Sequence, residues 1–252
     1  MNKPVSYLQT DPRWSNVDYS VPGEKTNIGE SGCGCACSAM IIATLRDPKV
    51  TPIDTCKWSL EHGYKALKQG TYYSYFVPQF KAYDIPCERL NFNNLYGDTK
   101  NKTHNLVRDY LARGYMVIAC MGRGIWTKSG HYILAYGLKG DKVLINDPNS
   151  TKASKTSAPW ETFISQVKFY WVIKEVIEVR YKYLKDIPEN FRGIIETLMN
   201  AGIINGDGSD KNGNNDVIDL SHDQVRTLVF IYRGGGFDRE LIRKGFTPVV
   251  SE

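Results

Sequence analysis

Cys33 stands in the run Gly32-Cys33-Gly34-Cys35-Ala36-Cys37, just ahead of an apolar segment with helical spacing. A thiol at that point feels the positive end of a helix dipole, which favours the thiolate, and flanking glycines let a substrate backbone come close. Nucleophilic attack by a thiolate also needs a base in hydrogen-bond reach and a third group to orient that base. The chain has 4 histidines. His62 and His104 fall in helical patterns and His222 at the second position of a tail helix, where a polar side chain needs no special account. His131 is set differently, opening a strand-like run in Ser129-Gly130-His131-Tyr132 after the Gly-rich loop MGRGIWTKSG. One hairpin later, the next such run ends in Asn146-Asp147-Pro148. If these are antiparallel neighbours, His131 and Asp147 meet at one sheet edge, where the carboxylate can hold the imidazole tautomer. Each residue alone has a blander account, since free cysteines are commonly small core residues and Asp-Pro is common in turns. Their joint spacing favours chemistry.

These residues have to be positioned by the surrounding elements. Ser38 to Leu45 has the pattern of a buried helix, and Asp54 to Lys68 that of a second with Asp54 as N-cap. Tyr73 to Tyr83 is a third candidate, and Thr103 to Arg113 a fourth, stopped by Gly114. The period then changes. Tyr115 to Met121, His131 to Leu138, Lys142 to Asn146 and Phe169 to Val176 are rich in Val, Ile and Tyr and predict strands of one sheet, with a hairpin turn at residues 138–142. Helices first and strands afterwards predict an α+β fold with helices packed on a mainly antiparallel sheet.

The 252 residues allow one large domain or a domain with an appendage, and 42% hydrophobic residues with 16 Tyr and 5 Trp exclude a largely disordered chain. Charge separates the two ends. From Asp186 onward there are 7 basic and 11 acidic residues, net −4, against 25 and 16 before it, net +9. The expected division is a catalytic domain at residues 1–180 and a small helical domain at 184–252. The tail helices are expected around Phe191 to Gly202 and from the Ser221-x-x-Gln224 capping box to Gly234, with Asn205 to Asp216 as a loop between them. The first twenty residues lack an apolar core for export, and no apolar run approaches the roughly 20 residues that cross a bilayer. A protein made in the cytoplasm without a signal peptide, with no membrane partner, is expected. The 6 cysteines do not form a secreted disulfide framework, and C-x-C-x-C lacks zinc-site spacing. An EF-hand beginning at Asp210 would put Asn215 at the glycine position and Ser221 at the bidentate glutamate, so calcium is not expected. No cofactor is required. The acidic tail argues against nucleic acid as a partner.

The segments QTDPRW, GESGCGCACSAMIIATL, GTYYSYF, SGHYILAYGL and VLINDP, in this order over roughly residues 5–175, resemble the papain-like cysteine peptidases related to the double-glycine, bacteriocin-leader-processing family. The resemblance implies Cys33 as nucleophile, His131 as general base, Asp147 as its orienter and Gln9 as an oxyanion-hole donor beside the Cys33 N–H. Gln9 lies farther upstream than in the simplest papain-like pattern. Cys35, Ala36 and Cys37 depart from the Pro, Thr and Ser usual in the family, which makes Cys35 an alternative nucleophile. Cys33 is preferred because it keeps the Gly-Cys-Gly frame and the distance to the helix.

The tail resembles a divergent surface-layer-homology repeat and the tails of phage lysins, implying attachment to a bacterial wall or to another copy of the chain. Together these features resemble an endolysin, released to the wall by a separate membrane lesion. The expected function is a peptidoglycan hydrolase that cleaves stem or bridge peptides through a thioester, with bacterial cell-wall peptidoglycan as partner. An amidase with the same triad, a leader-processing peptidase and a non-enzymatic wall-binding protein are the alternatives.

Overall fold

The computed structural model describes residues 3–90, 98–176, 180–206 and 217–237. Its contacts divide the chain into two compact units, Met1–Ile177 and Glu178–Glu252.

In the first unit a single turn, α1 (Ile28–Ser31), is capped by the Asn27 side chain, which accepts the Glu30 N–H at 3.0 Å. Gly32 interrupts it and the chain restarts as α2 (Cys33–Leu45). Every residue from Gly34 to Ala43 is buried, as a helix apolar on all sides requires. The helix starts five residues before the expected Ser38, because the small residues of GCGCAC pack inside it; Cys33 is its first residue rather than a residue preceding it. In α3 (Pro52–Glu61) the N-cap is Thr51, not the expected Asp54. Pro52 takes the first helical position, where its missing N–H costs nothing, and Asp54 closes the capping box by accepting the Thr51 N–H at 2.8 Å. This helix ends before Gly63, whose φ of 72° suits glycine, so residues 62–68 are loop and not the expected helix. The third helix, α4 (Phe76–Lys81), is shorter than expected for the same stretch.

The sheet adds strands that the periodicity did not reveal. After β1 (Cys87–Leu90) come α5 (Asp98–Ala112), β2 (Tyr115–Met121), β3 (His131–Lys139) and β4 (Lys142–Asn146). A short turn α6 (Ala153–Thr156), β5 (Ser157–Pro159), α7 (Trp160–Gln166) and β6 (Val167–Val176) complete the unit. The order is β1-β6-β2-β3-β4-β5 with antiparallel pairing throughout. Both faces are covered. Ile118, Cys120, Leu134 and Trp171 point into the core shared with α2, while Val117, Ala119, Ile133 and Val172 point into a second core with Val107 and Leu111 of α5 and Phe163 of α7. Alternation of side chains along each strand produces this two-sided burial.

The second unit holds β7 (Arg180–Tyr183), α8 (Glu189–Asn200), β8 (Val217–Ser221) and α9 (His222–Arg233). The antiparallel pair β7-β8 adds strands to the helices expected there. Tyr181, Ile187, Ile195, Leu198, Val225 and Val229 form its own small core. Ser221 caps α9 reciprocally, accepting from the Gln224 N–H at 3.1 Å and donating its own N–H to Gln224 Oε1 at 2.7 Å. Most of the Asp/Asn-rich loop, 207–216, lies outside the described residues. Among the described residues no helix is long and apolar enough to cross a membrane.

Candidate active site

Cys33 opens α2 with Gly32 as N-cap, so its backbone N–H belongs to a first turn that has no acceptor within the helix. The glycines on either side are there for space. A Cβ on Gly32 would sit 2.6 Å from the Ile28 carbonyl oxygen, and one on Gly34 would sit 2.4 Å from Thr71 Oγ1 and 3.2 Å from the Tyr132 ring. Gly34 thereby lets the start of the helix lie directly against the segment around Thr71.

His131 begins β3 opposite Met121, and β4 ends at Asn146 opposite Leu134, one residue before Asp147. That register carries the two side chains to one edge, where His131 Nε2 and Asp147 Oδ1 are 2.7 Å apart and both are buried. Oδ1 also accepts the Asn149 N–H at 2.8 Å, which fixes the carboxylate within the turn after β4. Cys33 and His131 line the same cleft. Burial opposes the imidazolium, but the hydrogen bond to Asp147 and the influence of nearby Cys33 outweigh it and raise His131 to about 9. A thiol, an imidazole favoured as imidazolium and a buried carboxylate therefore stand in series, an arrangement able to hold a thiolate–imidazolium pair.

The other thiols of the run face away. Cys35 and Cys37 are fully buried, and the Cys35 thiol lies 3.3 Å from the Tyr19 hydroxyl in the core beside α3. Of the three, Cys33 alone lines the adjoining cleft, about 590 Å³, together with His131, Tyr132, Ser129, Gly130 and residues 66–73. Cys120 lines it too, but burial, followed by the nearby Cys33 charge, raises its thiol to about 11, which keeps it protonated at neutral pH. His104 stands apart: it is buried against the Tyr170 hydroxyl at 2.9 Å, and burial followed by Lys100 lowers it to about 4. His62 stacks on Trp58, and His222 bonds the Tyr181 hydroxyl in the second unit.

Gln9 is brought close through the backbone, its N–H donating to the Pro148 carbonyl at 2.6 Å, next to Asp147. Its side-chain Nε2 donates to the Gly29 carbonyl at 2.7 Å. Gly29 is four residues before Cys33, so Gln9 takes the acceptor that Cys33 would have used in a continuous helix. The buried Gln9 side chain is not part of the cleft wall.

Two anchored loops form that wall. Gly122 donates to the Gln166 carbonyl at 2.6 Å, Ile125 donates to Gln166 Oε1 at 2.7 Å, and the buried Trp126 indole donates to the Lys155 carbonyl at 2.9 Å. A Cβ on Gly124 would lie 1.7 Å from Gln166 Oε1, so a side chain there would have to displace Gln166 from the Ile125 N–H. Residues 65–70 are held by the fully buried Lys65, which bonds Glu24, Ala66 O and Gln69 O. Sequence reasoning missed this second wall, although Gly63 and Gly70 on either side of it were a turn signal.

A papain-like α+β fold, with a cysteine at the start of the central helix and a histidine and an aspartate at the sheet edge, defines a cysteine peptidase class. The family model described as the Peptidase_C39-like family matches residues 13–175, well over half of the chain, and the chain belongs to that family. Among solved structures it is similar to the peptidase domain of Streptococcus ComA, a bi-functional ABC transporter involved in quorum sensing. That match has 21% identity and a TM-score of 0.41, covering 57% of this chain and 90% of that one. It is also similar to a double-glycine-motif protease from an AMS/PCAT transporter in complex with the leader peptide. There the identity is 17% and the TM-score 0.37, covering 56% of this chain and 81% of that one. No curated protein matches the chain.

Proposed function

We propose that this C39-like cysteine peptidase is an endolysin-like peptidoglycan hydrolase that cleaves amide bonds of stem or bridge peptides, with Cys33 as nucleophile, His131 as acid and base, and Asp147 as orienting group. The observation that carries the reading is that Cys33 and His131 line one open cleft, with the imidazole bonded to the buried Asp147 at 2.7 Å. In the first half of the reaction the Cys33 thiolate attacks the amide carbonyl carbon. The oxyanion that forms is met by the Cys33 N–H, which has no acceptor within the helix, while Gln9, buried and bonded to the Gly29 carbonyl, steadies the turn ahead of α2. His131 passes its proton to the leaving amine and a thioester remains. Water then attacks the thioester carbon while His131 takes its proton, releasing a carboxylate and restoring the thiol.

The net charge of +9 on residues 1–185 supports a polyanionic wall as substrate surface. The second unit, net −4 from Asp186, would attach to the wall through contacts other than bulk attraction. Incubation of purified Gram-positive walls with the protein tests the reading. Falling turbidity and dye release, both abolished in Cys33→Ala, are expected; walls that bind the protein without being cut would support a binding module instead. The same residues would serve a leader-processing peptidase, and cleavage of a double-glycine leader peptide in place of walls would favour that reading.

A further inference from the structure

Resting on the cysteine-peptidase reading of the cleft, we propose that the loop of residues 65–73 is a subsite for an anionic peptide, with Lys68 selecting a substrate that carries a free carboxylate close to the scissile amide.

Lys68 has a φ of 56°, the left-handed region that a side-chain-bearing residue enters at a cost and keeps only when its surroundings enforce it. The enforcement is visible. Glu24 Oε2 accepts the Lys68 backbone N–H at 2.5 Å, while Glu24 Oε1 accepts from Lys65 Nζ at 2.6 Å. The Lys65 ammonium, fully buried, gives its other hydrogens to Ala66 O at 2.9 Å and Gln69 O at 2.6 Å, so it shapes the loop and has none left for a ligand. The Lys68 side chain is left exposed, and among the described residues its ammonium makes no ion pair.

Lys68 lines both the cleft of about 590 Å³ and a neighbouring one of about 510 Å³, and Cys33 lines both as well. Among the described residues, the charged wall residues of the larger cleft besides His131 are Lys68 and Lys168, with no Asp or Glu. Thiolate, imidazolium and carboxylate together carry one negative charge, which would repel an acidic peptide unless cations offset it. Two lysines in the same cleft do so. Leu67, Tyr72 and Tyr73, exposed by 50%, 50% and 41%, flank Lys68 and offer apolar surface for the rest of the peptide. In the smaller cleft Glu24 is already neutralised by Lys65, and Glu30 accepts from Thr26 Oγ1 at 2.8 Å.

The test uses full-length Cys33→Ala protein and a matched pair of stem tetrapeptides, L-Ala-γ-D-Glu-L-Lys-D-Ala and the same peptide with the glutamyl α-carboxylate amidated. Binding is followed by titration calorimetry at low and high salt. The acid form is expected to bind roughly three- to tenfold more tightly, the size of one partly shielded ion pair, and salt should erode the difference. Adding Lys68→Gly should abolish the preference while keeping the fold, since glycine takes this φ without strain, and Lys68→Arg should preserve it. Equal affinity for the two peptides, a preference that survives Lys68→Gly, or binding of neither peptide would overturn the subsite. Hydrolysis by the Cys33 protein is scored separately: both peptides cut equally would sink the subsite and leave the peptidase standing. Acid-selective binding without hydrolysis of peptides or walls would do the reverse.

Discussion

Replacing Cys33 by Ala removes the one thiol of GCGCAC that reaches the cleft, and peptidase activity should fall by about 10⁴-fold or more. Cys35→Ala should leave kcat nearly unchanged, because that thiol is spent on Tyr19 in the core; retained activity in Cys33→Ala with loss in Cys35→Ala would reverse the assignment. Asp147→Asn keeps the shape but not the charge that favours the imidazolium. Activity should drop by about 10²-fold or more. With His131 raised to about 9, partly through Asp147, the alkaline limb of kcat/KM should lie near that value in the native protein and move to lower pH in Asp147→Asn. A pH–rate profile that does not move would show that the carboxylate has no hold on the imidazole. Gly34→Ala sets a methyl group 2.4 Å from Thr71 Oγ1 and should destabilise the fold by about 1–3 kcal/mol, readable in urea melts.

At the level of elements, the cleft depends on two loops and what pins them. Lys65→Met leaves Glu24 without its buried partner and frees residues 66–70, so KM should rise and the melting temperature fall, with kcat for bound substrate less affected. A variant with unchanged KM would mean that the loop keeps its shape without the ion pair. What could be read in advance divides along physical lines. Strands β2 and β4 begin and end where their Val/Ile/Tyr runs do, because Gly and Asp bound them sharply and both faces are buried. His131 and Asp147 were legible for the same reason, since hairpin register follows from chain order. The short strands β1 and β5 were not, as four and three residues leave no measurable period and are fixed by pairing with distant β6 and β4. The early start of α2 was hidden by Gly32 and Gly34, which sequence rules place in turns and tertiary contact requires here. Lys65 resembled any other helix-face lysine, because its burial depends on Glu24, 41 positions away.

Over the whole molecule, the two buried histidines pull stability in opposite directions with pH. His131, raised from 6.5 to about 9, contributes fully below 6.5 and loses that contribution as pH rises toward 9. His104, lowered from 6.5 to about 4, contributes above 6.5 and loses its contribution as pH falls toward 4. The melting temperature should therefore peak near pH 6.5, with His104→Gln flattening the acid slope and His131→Gln the alkaline one. Each unit has its own core, so removal of residues 184–252 should spare hydrolysis of soluble peptides and weaken attachment to walls. Unchanged wall affinity would sink the anchoring role of the tail. The central claim, that Cys33 breaks an amide of the bacterial wall, is tested most directly by mass spectrometry of fragments released from purified walls by the native protein and by Cys33→Ala. New amine and carboxylate ends at a single stem- or bridge-peptide bond, appearing with the native protein alone, are predicted. Release of no fragments, or of the same fragments by Cys33→Ala, would contradict it.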